Sequence, residues 1–132
     1  MNNLNELTDA IIGAAMEVHR TLGAGLLEST YEMCLCRELS IRGIPFERQV
    51  PIPVEYKGVK LDCGYRADIV VDGTILLKIK AIDSPLPIHD AQLPSYLKLG
   101  GWKIGLLINF NVELLKNGLR RRVFGLVEKV IL

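Results

Sequence analysis

Apolar residues near the start of the chain recur at helical steps. Leu7, Ile11, Ala14, Ala15, Val18 and Leu22 form one stripe at three- and four-residue spacing, which predicts a helix. Gly23-Ala24-Gly25 ends it. Tyr31, Cys34, Leu35 and Leu39 make a second stripe, predicting a helix over 27–42 that stops at Gly43. The period then falls to two. Over 46–56 the even positions Phe46, Val50, Ile52, Val54 and Tyr56 are apolar and only Arg48 breaks the series, as in a strand. Pro51 and Pro53 cannot donate to a ladder, so this strand belongs at an edge or bulge. After Lys57-Gly58, Val59, Leu61, Cys63, Tyr65, Ala67, Ile69 and Val71 alternate along a second strand. Asp72-Gly73-Thr74 is a turn, and 75–81 is a third strand. Pro85 and Pro87 mark a loop before a helix over 88–99. The nearly continuous apolar run over 103–110 predicts a strand buried on both faces. A turn at Asn117-Gly118 precedes 119–132, which fits a strand, a short helix or both.

Helix, helix, three strands, helix, strand and a mixed end predict an α/β (α+β) sandwich with a mixed sheet in one domain over 1–132. Neither GxGxxG nor GxxxxGK[ST] is present. At 49% apolar and 23% charged the chain is not a disordered type. Sixteen basic and 15 acidic side chains, net +1, exclude a strongly basic nucleic-acid coat but leave room for a local basic patch. No apolar run reaches the roughly 18 residues of a membrane span. The N-terminus lacks the basic start and apolar core of a signal peptide. The three cysteines, Cys34, Cys36 and Cys63, have no CxxC spacing and predict idle thiols in a reducing cytoplasm.

The candidate chemistry depends on how the second and third strands pair. A two-residue turn would set Asp68 against Leu77 on an apolar face. A three-residue loop pairs Val71 with Ile75, Asp68 with Lys78 and Arg66 with Lys80. Register follows the buried face, so the second pairing is expected. It gathers Arg66, Asp68, Lys78 and Lys80 mid-sheet, where charges are depleted. The next helix carries His89, Gln92 and Tyr96, and the last two, four apart, share one side.

These residues resemble a known group. Gly25-Leu26-Leu27-Glu28-Ser29-Thr30-Tyr31 matches GxxExxY. Tyr65-Arg66-Ala67-Asp68 is similar to the strand-borne Asp of PD-(D/E)xK nucleases, and Lys78-Ile79-Lys80 occupies the place of the (D/E)xK tripeptide. Gln92 to Tyr96 is similar to a QxxxY helix. Nearly the whole chain resembles the GxxExxY family of the PD-(D/E)xK nuclease-like superfamily. The resemblance implies a restriction-endonuclease-like three-layer core, a mixed central sheet flanked by helices. It also implies Mg²⁺-dependent phosphodiester hydrolysis on DNA or RNA. By the same resemblance Asp68 is a metal ligand, Lys80 the water-orienting cation and Glu28 an outer ligand or base. Gln92 and Tyr96 bind phosphate or brace the site. Beside these, Arg66 and His89 of the polar cluster and the next helix are candidate phosphate contacts.

The chain departs from that pattern at Lys78, where the family has Glu. An ammonium has three donors and no lone pair, so it cannot ligate a cation. Two positive charges ~4 Å apart repel by about 4 kcal/mol at an effective dielectric near 20. The expectation is a disrupted metal site and weak or absent hydrolysis, with nucleic-acid or partner binding retained. One alternative is an active nuclease with substitute ligands, Glu28 with Asp68 and His89. Another is a non-enzymatic structural domain, homo-oligomeric through its helices or its proline-bearing edge strand. Pro94 lies inside the QxxxY helix, where it predicts a kink or a short first turn.

Overall fold

The computed structural model describes residues 3–124. Its helices are α1 (Leu4–Leu22), α2 (Glu28–Ile41) and α3 (Pro87–Gly100). Its strands are β1 (Phe46–Pro51), β2 (Val54–Tyr56), β3 (Val59–Leu61), β4 (Arg66–Val71), β5 (Ile75–Lys80), β6 (Ile104–Asn109) and β7 (Leu119–Val123).

The Asn3 side chain caps α1 by accepting from the Asn5 amide at 2.8 Å. The α1 stripe is buried at Ile11, Ala14, Ala15 and Val18. Gly23, at φ 72°, ends the helix in a conformation that favours glycine. Tyr31 on α2 then reaches back across the break. Its hydroxyl donates to the Gly23 carbonyl at 2.6 Å and accepts from the Leu26 amide at 3.1 Å. Its ring stacks on Phe110 with centroids 4.6 Å apart. Tyr31 is thus core and turn clamp together.

Five strands form one sheet in the order β1-β4-β5-β6-β7, with β1 at the edge that its prolines require. β5 and β6 are parallel and joined through α3; the other neighbours are antiparallel. Helices α1 and α2 cover one face, sharing a core with Ile69, Val71, Ile75, Leu77, Ile79 and Leu106. Helix α3 covers the other, where Leu93 and Leu97 meet Ala67, Val70, Leu76 and Leu107. Gly105 lets α3 lie close, since a Cβ there would stand 2.9 Å from Leu93. The result is the three-layer, restriction-endonuclease-like architecture with a mixed central sheet. Every residue of β6 is buried, as its continuous apolar run requires.

Three expectations need correction. The alternating stretches over 46–56 and 59–71 are not two long strands. The first breaks at Ile52-Pro53, next to residues that lack an amide donor. The second breaks at 62–65, where Asp62 turns its carboxylate onto the Gly64 amide at 2.9 Å and Gly64 adopts φ 82°. The freed pieces, β2 and β3, pair only with each other in a separate two-stranded hairpin. Arg66 does not pair with Lys80 either; its partner is Pro51 on β1, and the β4–β5 ladder stops at Ile69–Leu77. Helix α3, finally, runs through Pro94 with Pro87 at its start, so the first turn is not short. Beyond β7, the tail considered above as strand or helix lies outside the described residues from 125 onward.

Candidate functional site

The site begins where the pleat of the edge strands turns over. Phe46 packs in the α1/α2 core, whereas Val50 and Ile52 pack under α3. Likewise Ile69 and Val71 face α1/α2, but Ala67 faces α3. Strict alternation would put Ala67 with Ile69. The pivot is Gln49, whose φ of 52° is uncommon for a residue with a Cβ. In the antiparallel register Gln49 falls opposite Asp68, between the pairs Arg48↔Ile69 and Val50↔Ala67.

Asp68 therefore sits where β4 leaves β5. Val71 pairs with Ile75, the register set by the three-residue loop. Past Ile69–Leu77 the carboxylate takes over from the ladder. Its Oδ2 accepts from the Ile79 amide at 2.7 Å, and its Oδ1 lies 3.5 Å from the Lys78 Nζ. Side-chain exposure is 10% for Asp68 and 15% for Lys78, so water screens this pair weakly.

Toward α2 stands an acid that pattern reading passed over. Glu32 is buried, and its Oε2 accepts from Arg48 Nη2 at 2.9 Å and Gln49 Nε2 at 3.0 Å. Its negative charge is felt at Asp68. A signal was present in the sequence: Glu32 lies three before Leu35 and seven before Leu39, on the apolar stripe of its helix. A charge on that stripe needs a buried partner.

Toward α3 the Lys78 ammonium lies 5.6 Å from the centre of the Tyr96 ring. Tyr96 meets Tyr65 with centroids 5.6 Å apart at 57°. Gln92, one turn before Tyr96, lines the same groove.

The remaining candidates are dispersed. Lys80, half-buried at the end of β5, belongs to no ion pair within 4 Å among the described residues. Glu28 is exposed in the first turn of α2 and likewise pairs with none of them. Arg66 turns to Asp62 at 3.6 Å rather than to the sheet. His89 accepts from the Leu86 amide at 2.9 Å, tying down the start of α3. Asn109 is engaged structurally: its amide bonds both backbone groups of Ile82.

Burial, above all, holds the Asp68 carboxyl above the ordinary value of 3.8; the Ile79 amide and Lys78 pull it down, and Glu32 pushes it up. Folded Asp68 thus keeps its proton to a higher pH than unfolded Asp68. Its contribution to stability is greatest in acid and declines as pH rises from about 3.8 through the folded value. Thermal melts of wild type and Asp68→Asn across acid to neutral pH test this. The stability of wild type relative to the variant is expected to fall with rising pH; a rise would contradict the assignment.

Among the described residues no helix is long and apolar enough to cross a membrane. No curated protein and no solved structure matches the chain. A family model described as the PD-(D/E)XK nuclease superfamily matches residues 5–122. The three-layer core with its mixed central sheet agrees with that match, and the chain belongs to the PD-(D/E)XK nuclease superfamily.

Proposed function

We propose that this is a nuclease-like protein of the GxxExxY type with a disrupted metal site, which hydrolyses phosphodiesters weakly or not at all and keeps a cationic face for nucleic-acid phosphates. The observation that carries this reading is the Asp68–Lys78 pair at 3.5 Å. A Mg²⁺ ion asks for several hard oxygen donors in near-octahedral array. Here one Asp68 oxygen is taken by a backbone amide and the other faces an ammonium. The nearby Glu32 is held by Arg48 and Gln49. Among the described residues no three His, Cys, Asp or Glu side chains converge on a point. The residues present do not fit the metal.

The substitute-ligand alternative calls on Glu28, Asp68 and His89. Glu28 is exposed and His89 is occupied in capping α3, so neither supports it. Lys80, unpaired among the described residues, is free to meet a phosphate as a point charge.

Incubation of the pure protein with Mg²⁺ or Mn²⁺ and labelled DNA or RNA tests the reading. Wild type and Asp68→Ala are expected to give the same background. Cation-dependent cleavage that disappears in Asp68→Ala would overturn it.

A further inference from the structure

The groove beside Lys78 is not accounted for by the Asp68 pair. It has a volume of about 360 Å³, within the range of small-ligand sites, and lies between α3 and the chain entering β4. Its walls are Val54, Tyr65, Ile88, Gln92, Tyr96 and Leu99. The α3 residues among them recur at helical spacing on a side distinct from Leu93 and Leu97, which face the core. Ile88 is 57% exposed and Tyr65 43%, so this side is uncovered.

Resting on the nucleic-acid reading above, we propose that this groove receives one unstacked base of a single-stranded nucleic acid, while Lys80 takes an adjoining phosphate. The Tyr65 ring, 43% exposed and braced by Tyr96 at 57°, offers one planar apolar face to solvent, which suits a planar ring better than a branched side chain. The Gln92 amide supplies a donor and an acceptor for a base edge. Beside Tyr96 the Lys78 ammonium lies 5.6 Å from the ring centre, and a second cation, Lys80, follows ~7 Å along the same face of β5. Apolar walls with a free cation on the neighbouring strand suit a base joined to its phosphate. A base within a duplex enters only after unpairing and flipping out, so the favoured class is single-stranded DNA or RNA. Stacking also suits a chain with net charge +1, whose overall charge adds little to binding.

Fluorescence anisotropy with a labelled oligo(dT), an abasic deoxyribose-phosphate strand of equal length and a duplex tests the proposal. Wild type is expected to prefer oligo(dT) to the abasic strand and the duplex. Tyr65→Ala should weaken oligo(dT) binding roughly tenfold and leave abasic-strand binding unchanged. Tyr65→Phe, which keeps the ring and its packing, should bind as wild type. Equal binding of oligo(dT) by wild type and Tyr65→Ala, or equal binding of oligo(dT) and the abasic strand, would overturn the base pocket. Phosphate binding would then still stand. Failure of wild type to bind any strand would remove both.

Discussion

Lys78→Glu is expected to acquire divalent-cation affinity and to lose stability when no cation is added. The substitution replaces an ammonium 3.5 Å from Asp68 Oδ1 with a carboxylate. At ~4 Å and an effective dielectric near 20, an attraction of about 4 kcal/mol gives way to a repulsion of similar size. Part of that swing is relieved by protonation of one of the two acids, since close carboxylates do not both ionise. Removing one member of a buried pair typically costs about 3–5 kcal/mol, and partial exposure of Lys78 puts the net loss toward the lower end. A cation restores the balance by supplying positive charge and displacing the shared proton. Calorimetric titration with Mn²⁺ should therefore give binding and proton release in Lys78→Glu and neither in wild type. Chemical denaturation should show the variant weakened in chelator and recovered in Mn²⁺. A variant that binds no better than wild type would mean that the residue at position 78 does not by itself decide whether a cation binds.

Tyr31→Ala is expected to be the most damaging single change for stability, about 3–5 kcal/mol. The side chain is fully buried, stacks on Phe110 and bonds two backbone groups of the turn between α1 and α2. Tyr31→Phe separates these contributions. It keeps the stack but strands the Gly23 carbonyl and the Leu26 amide, for about 1–3 kcal/mol. Against a whole-domain stability of about 5–15 kcal/mol, the alanine variant loses a large share. Urea midpoints rank the two variants. Equal midpoints for phenylalanine and wild type would show that the hydroxyl contacts are replaced by water at no cost.

Much of this fold was legible because it rests on local pattern. The stripes of α1 and α2, the fully apolar β6 and the loop at Asp72-Gly73-Thr74 carry their structure in neighbouring residues. The loop fixed the register, and the register brought Asp68 to Lys78. What escaped is set at longer range. Alternation assumes an unbroken pleat, so it assigned Ala67 to the face of Ile69. The pleat turns over at Gln49, and nothing in the Gln49 side chain announces a left-handed backbone. Glu32 was overlooked because its partners arrive from β1, 16 residues later for Arg48. Glu28 drew attention through its motif, yet the acid one helical turn on is the one turned inward. The turn of the β2–β3 hairpin at Lys57-Gly58 was legible, but its separation from the main sheet was not, because its alternation continues that of β1 and β4 across the breaks.

The bond from the Ile79 amide to Asp68 has an evolutionary consequence. Where two strands part, a main-chain donor would be marooned without that oxygen, at about 1–3 kcal/mol. Selection for a sound scaffold would thus retain an aspartate at 68 in a lineage that had abandoned cutting. Finding this acid intact in a descendant of the fold is no testimony to hydrolysis; the informative letter lies ten positions later.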